Sequence, residues 1–316
     1  METGRELFNS FLKRRPLSRP AFVPLVRGLM ARVSGSTVEA LTSDPTVWAN
    51  GLIKTADLFD LDGIVAGFHF SLMAEACGCR VRWEADRPVL LPPDQGPCEN
   101  PEASGRMKTA LEAANRLFQV CRTNRACVAA LTGPLTLVRH LLGDREDPQG
   151  LRAIKAFLVR VTEAFCALRP DVLIFMEGHW PGAGLDSKLH RIYQSLRNIT
   201  SHYGVSPGLY VQGYRQDDLD TLSGLGLDIY ILGPAENGAQ PAIDRLWALG
   251  AQSLGVGLGL PVHDPEQAHL LIDDGLDYYR DHRQSGFFFT SFGPLTRQAN
   301  PEVLHGLVKR IKGTVI

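Results

Sequence analysis

Eight short apolar runs, separated by stretches of helical periodicity, confine this chain to an α/β architecture built on parallel strands. The runs are Ala21–Val26, Gly63–Phe68, Ala126–Leu131, Asp171–Met176, Gly208–Gln212, Asp228–Leu232, Gln252–Val256 and Gly286–Thr290. Each is brief and nearly unbroken, the pattern of a strand covered on both faces. Amphipathic stretches lie between them, among them Thr46–Leu58, Met107–Val120, Leu151–Leu168 and Asp186–Tyr203. Such alternation predicts β-α units, because parallel neighbours need a crossover connection. Eight units suit a closed (β/α)8 TIM-type barrel; an open doubly wound sheet is the rival.

Two stretches interrupt the alternation. A helix is expected over Arg5–Arg14, ended by Pro16 and Pro20. Within Arg80–Pro101, the runs Val81-Arg82-Trp83 and Val89-Leu90-Leu91 flank Ala85–Pro88, which reads as a β-hairpin followed by a proline-rich loop. This insertion follows the second strand, so it should lie over the C-terminal mouth of a barrel. Barrels of this length commonly form one unit, and a single domain over residues 1–316 is expected.

Composition then narrows the partners. Lys and Arg number 33 against 34 Asp and Glu, a balance that argues against nucleic acid, whose phosphates demand a basic excess. No run approaches the roughly 18 apolar residues of a membrane span, and the charged start Met1–Glu6 lacks the apolar stretch of a signal peptide. A cytoplasmic protein with no membrane partner is expected. Its cysteines (Cys77, Cys79, Cys98, Cys121, Cys127 and Cys166) read as free thiols of a reducing compartment. Cys77-Gly-Cys79 is the only close pair, and no second pair follows at a zinc-site spacing.

In a barrel the chemistry sits where strands end and β-α loops begin. Those ends carry Arg27, His69, Thr132-Gly133-Pro134, Glu177-Gly178-His179, Tyr210 and Gln212, Glu236, His263-Asp264 and Ser291-Phe292-Gly293. Arg27, and Arg32 one turn beyond, could pair bidentately with a carboxylate or phosphate; a loop brace is the plain structural reading. His69, Glu177 and His179 are candidate acids or bases. They could also converge as a two-His, one-carboxylate metal set, with Glu177 and His179 facing one side only if the strand continues through both. Gly255-Val256-Gly257-Leu258-Gly259 lacks the G-x-G-x-x-G spacing of a nucleotide loop and reads as tight turning at the barrel rim.

Several segments, in order along nearly the whole chain, resemble one superfamily. They are Thr3-Gly4-Arg5-Glu6 with Leu17-Ser18-Arg19-Pro20, Arg32-Val33-Ser34-Gly35 and Leu41-Thr42-Ser43-Asp44-Pro45. Further on come Ala74–Cys79, Gly105-Arg106-Met107 with Leu111-Glu112-Ala113, and Leu131–Leu137. Together they resemble the uroporphyrinogen decarboxylase superfamily, and within it the corrinoid methyltransferases of the methylcobamide:coenzyme M type. The resemblance implies a TIM-type barrel and a possible homodimer. It also implies one of two chemistries: decarboxylation of a tetrapyrrole without cofactor, or methyl transfer between a corrinoid on a partner protein and a thiol activated by zinc.

The residues that carry those chemistries are changed. Where the methyltransferases hold zinc with His-x-Cys after the fifth strand, this sequence has Tyr210 and Gln212, and the third ligand falls near Pro294. The usual zinc site is therefore expected to be absent. The essential Asp of the decarboxylases follows the second strand, yet no Asp lies between Asp62 and Asp86, and His69 with Phe70-Ser71-Leu72 stands there instead. The Gly-His-Gly loop after the last strand is also replaced. Arg27, near the arginines that hold substrate carboxylates in the decarboxylases, survives. The leading expectation is a methyltransferase without the zinc site, using a corrinoid as donor or acceptor. Arg27, Arg32, Tyr210, Gln212, Glu236 and His263 would bind a small-molecule substrate, and His69, Glu177 and His179 would act on it. A decarboxylase or other lyase acting on a carboxylate, and a silent barrel binding a tetrapyrrole, corrinoid or partner protein, are the alternatives.

Overall fold

The computed structural model describes residues 2–69, 71–91, 93, 100–143, 150–180, 187–281 and 286–313. Cys98 and Phe70, most of the proline-rich loop and Asp186 at the start of the fourth helical stretch lie outside them. Seven parallel strands form one sheet: β1 (Gly63–Ala66), β4 (Ala126–Thr132), β5 (Val172–Glu177), β6 (Ser206–Val211), β7 (Ile229–Leu232), β8 (Gly255–Leu260) and β9 (Gly286–Ser291). Between β1 and β4 lies an antiparallel hairpin of β2 (Arg80–Glu84) and β3 (Arg87–Leu91). Spatial order in the large sheet equals chain order. A doubly wound sheet reverses its strand order at a switch point; this one never reverses, so it curls as a barrel wall does.

The gap between β1 and β9 is filled by Ala21–Val26, which is not the regular strand its sequence led us to expect. It makes only the isolated bridges Phe22–Phe289 and Val26–Leu295. Pro24 is the cause: with no N–H it removes a donor from the ladder. Side chains supply the missing bonds, with Leu25 N donating to Ser291 Oγ at 2.9 Å and Thr290 Oγ1 to Val23 O at 2.8 Å. On one edge Val23 N reaches Phe289 O at 2.8 Å; on the other Asp62 N donates to Phe22 O at 3.1 Å. The irregular segment thus bonds to both edges and completes the ring.

The seventh apolar run is shifted in the same way. A strand was expected at Gln252–Val256, but Gln252 caps the preceding helix, Ile243–Ala251, and β8 begins at Gly255. The Gly255/Gly257/Gly259 series is therefore strand, not turn. The three residues share one face by the two-residue period of a strand, and each lies against a close neighbour. A Cβ on Gly255 would come within 2.3 Å of Gly286 O, and one on Gly257 within 2.7 Å of Ile231 Cγ1.

Below that face sits the N-terminal helix, Gly4–Leu12, opened by a capping box between Thr3 and Glu6. Its buried Phe8 and Phe11 meet Phe288 of β9 with ring centroids 5.3 to 5.4 Å apart. Leu7, Phe8 and Phe11 are its apolar stripe, and the aromatic trio plugs one end of the barrel. The hairpin stands at the rim of the other end. Its turn residue Asp86 accepts from Val38 N at 2.8 Å and pairs with Arg297 in the segment after β9. No described helix is long and apolar enough to cross a membrane.

Candidate functional site at the carboxyl ends of the strands

Three polar clusters stand at the open end. The first follows β1. His69 is buried, and its Nδ1 lies 2.9 Å from Ser71 Oγ. Arg106, in the helix Gly105–Cys121, donates from Nη2 to the same Ser71 oxygen at 2.9 Å and from Nε to Glu75 Oε2 at 2.8 Å. Trp83 of the hairpin closes the cluster, its ring 5.3 Å from the His69 ring and 5.3 Å from the Arg106 guanidinium carbon. Among the described residues two buried nitrogens here have no hydrogen-bond partner, His69 Nε2 and Arg106 Nη1. Each such orphan costs about 1–3 kcal/mol in a fold that otherwise satisfies its polar groups. Burial, and then the charges of Arg106 and Arg27, hold the His69 imidazole well below the usual histidine range.

The second cluster surrounds Glu177, the last residue of β5. Its Oε1 accepts from Leu135 N at 3.1 Å and Tyr193 Oη at 2.6 Å; its Oε2 accepts from Thr136 N at 2.8 Å and Thr136 Oγ1 at 2.7 Å. Four donors fill the roughly four acceptor positions of a carboxylate. Two of them are the first free amides of the helix Pro134–Leu142, so Glu177 caps that helix from a neighbouring strand. Gly133 is required by this close approach, since a Cβ there would fall 2.4 Å from the carboxylate. Glu177 is therefore a cap that ties β5 to this helix, with each of its carboxylate oxygens taken by two donors. Burial is the largest influence on its carboxyl and raises the pKa against those four bonds.

The third cluster lies at the ends of β6, β7 and β9. The buried Tyr210 hydroxyl is shared between Gln212 Oε1 and Phe292 O, both at 3.1 Å, and a Cβ on Gly233 would meet it at 2.4 Å. Gln212 Nε2 reaches Gly178 O at 3.4 Å. Burial pushes the Tyr210 phenol well above its ordinary value.

Other candidates stand apart. Arg27 lines a cavity of about 800 Å³ with the hairpin turn Glu84–Pro88 and Thr296–Gln298, and burial lowers its pKa against the pull of Asp86. Arg32 is exposed and braces the segment after β9, donating to Ala299 O at 3.1 Å and Arg297 O at 3.4 Å. His179 is exposed at the rim. Glu236 is exposed beside Arg215 at 3.8 Å. His263 borders a neighbouring cavity of about 490 Å³ walled by Leu260, Val262, Phe292 and Val303, which shares Thr296 and Gln298 with the first.

The residues do not fit a zinc ion. Among the described residues no three His, Cys, Asp or Glu side chains are placed to hold a metal, so His69, Glu177 and His179 do not converge. At the carried-over positions, a bonded phenol, a neutral amide and a proline replace imidazole and thiolate ligands. The described cysteines are buried, and burial drives Cys77, Cys127 and Cys166 up to about 12. Ser71, Arg106 and Trp83 went unremarked as site residues in the sequence. Ser71 two positions after His69 was the one local signal.

A one-way parallel barrel with polar clusters at the carboxyl ends of its strands defines an α/β-barrel scaffold of the kind on which enzymes are built. Residues 3–168 match the family model described as uroporphyrinogen decarboxylase (URO-D), and the chain belongs to that family. A methyltransferase from Methanosarcina mazei shares the fold over 99% of each chain, at 16% identity and a TM-score of 0.78. A B12-independent methionine synthase from Shewanella sp. W3-18-1 shares it over 84% of this chain and 86% of its own, at 13% identity and a TM-score of 0.52. At such identities the likeness is one of fold. No curated protein matches the sequence.

Proposed function

We propose that this chain is an enzyme that transfers a methyl group to or from a small anionic molecule, with a corrinoid on a separate protein as co-substrate and without a zinc-bound thiolate. The observation that carries this reading is the buried His69 imidazole at the end of β1, bonded to Ser71, which in turn takes the Arg106 guanidinium of the following helix, with Arg27 acting on the same ring. Such a site favours an anion and disfavours further positive charge. A corrinoid supplies a cobalt-bound methyl group that is passed on without its bonding electron pair. Arg27 holds the anionic partner, while Tyr210 and Gln212, fixed to each other at 3.1 Å, orient the group in transfer. The full-length likeness to a protein described as a methyltransferase supports methyl transfer over decarboxylation. So does the absence of an Asp anywhere between Asp62 and Asp86.

The test is demethylation of methylcobalamin by the purified chain, followed by its absorbance, with small carboxylate-bearing thiols and amines as acceptors. Turnover that survives a zinc chelator and falls at least tenfold in Arg27→Met is the expected result. Release of carbon dioxide from a carboxylate substrate, with methylcobalamin untouched, would replace this reading with the decarboxylase one. Strict dependence on added zinc would sink the zinc-free part.

A further inference from the structure

We propose that Arg106, acting through Ser71, fixes the His69 proton on Nε2, and that His69 Nε2–H and Arg106 Nη1–H together form a donor pair for a carboxylate oxygen of the substrate. This rests on the strand-end mouth being the substrate site and deepens that reading. Arginine can only donate, so Ser71 Oγ is an acceptor toward Arg106 Nη2. The Ser71 hydroxyl is fully buried, and its own proton needs an acceptor. Among the described residues His69 Nδ1, 2.9 Å away, is the one that offers itself. A ring nitrogen that accepts leaves the proton on the other nitrogen, here the orphaned Nε2.

The groups facing the ring agree with this arrangement. Arg106 and Arg27 both oppose a second proton on the imidazole, and Trp83 contributes only its edge and face. Glu75 takes Arg106 through Oε2 alone and holds the guanidinium from the side away from its Nη1. At the two orphaned nitrogens the cluster therefore presents donors, and a carboxylate complements them where a cation would not. Both orphaned nitrogens are screened from solvent, with the Trp83 ring 5.3 Å from the His69 ring and from the Arg106 guanidinium carbon. Ser71 is a positioning residue; His69 and Arg106 touch the ligand.

The experiment is nitrogen-15 spectroscopy of the full chain with labelled histidine, the His69 signals being assigned by their loss in His69→Gln. Near neutral pH His69 should show a protonated Nε2 and a bare Nδ1, and Ser71→Ala should raise the fraction carrying the proton on Nδ1. Titration with malonate should then shift the Nε2 signal in a saturable way. Malonamide and sodium chloride at matched concentrations should not, and Arg106→Met should weaken the malonate response at least tenfold. A proton on Nδ1 in the native chain, or a malonate response no larger than that of malonamide, overturns the proposal. Neither readout depends on methyl transfer, so this proposal and the methyltransferase reading fall separately.

Discussion

Burial and the Arg106 and Arg27 guanidiniums hold the His69 imidazole below its ordinary range, so the unfolded chain takes up a proton there that the folded chain refuses. The sign follows from proton counting. Stability from a depressed histidine is fully present above the unfolded value of 6.5 and is lost as pH falls from there toward the folded value. The loss runs at up to about 1.4 kcal/mol per pH unit for one proton. Urea midpoints measured near pH 7.5 and near pH 5.5 should show the native chain losing about 1 kcal/mol more than His69→Gln across that interval. Equal losses would mean that His69 protonates freely in the fold. The Glu177 cap has its own signature. Tyr193→Phe removes one bond to a buried carboxylate, and a loss of about 1.5–3 kcal/mol with an unchanged denaturant slope is expected. At this scale the sequence was readable as to which residues lie at strand ends, but not as to where their side chains turn. Glu177 looked like an acid and is a cap, because its donors come from Leu135, Thr136 and Tyr193, far along the chain. Arg106 stood in the sequence only as part of a resembling segment, because its partners arrive from the β1 loop and the hairpin.

Strands and helices were more legible, since burial imposes periods of two and 3.6 that the sequence displays directly. The hairpin, the N-terminal helix and six of the eight apolar runs occur where patterning placed them, within a few residues. The two exceptions have local causes, Pro24 in one and the helix cap at Gln252 in the other. The glycine-rich β8 was misread because a small residue signals a turn and a close approach equally well, and only the neighbours distinguish them. That difference is measurable by comparing two glycines. Gly255→Ala would push a methyl group against the Gly286 carbonyl and Phe11, and should cost at least about 1–3 kcal/mol by overpacking. Gly306→Ala, in the helix Pro301–Gly313 with nothing within 4 Å of the new carbon, should instead stabilise by about 0.5–1 kcal/mol. Thermal melts that moved in the same direction for both would contradict the inward packing of β8.

Closure is a property of the whole molecule, and eight apolar runs could only make it an expectation. Pairing at the seam between the last strand and the first segment joins residues more than 260 positions apart, and no local pattern reports such a contact. At this seam Asp62 is the fastener on the β1 side. Its carboxylate is 2% exposed, takes Arg19 in two bonds at 2.7 and 2.8 Å, and accepts from Phe22 N at 2.8 Å. Lys312 of the C-terminal helix approaches to 3.6 Å. Asp62→Asn keeps the shape but strands the Arg19 charge, and breaking a buried pair in this way costs about 3–5 kcal/mol. The damage should be local first. Amide exchange at Val23 and Phe289, which bond across the seam at 2.8 Å, should quicken more than at Ala129 or Ile174 in the middle of the sheet. Arg27 leaves the same closing segment at its other end, so a loosened seam should also weaken anion binding at the mouth, though Asp62 touches no ligand. Uniform loss of protection across all strands would mean that the barrel opens only by unfolding entirely, and that Ala21–Val26 is as firmly held as any regular strand.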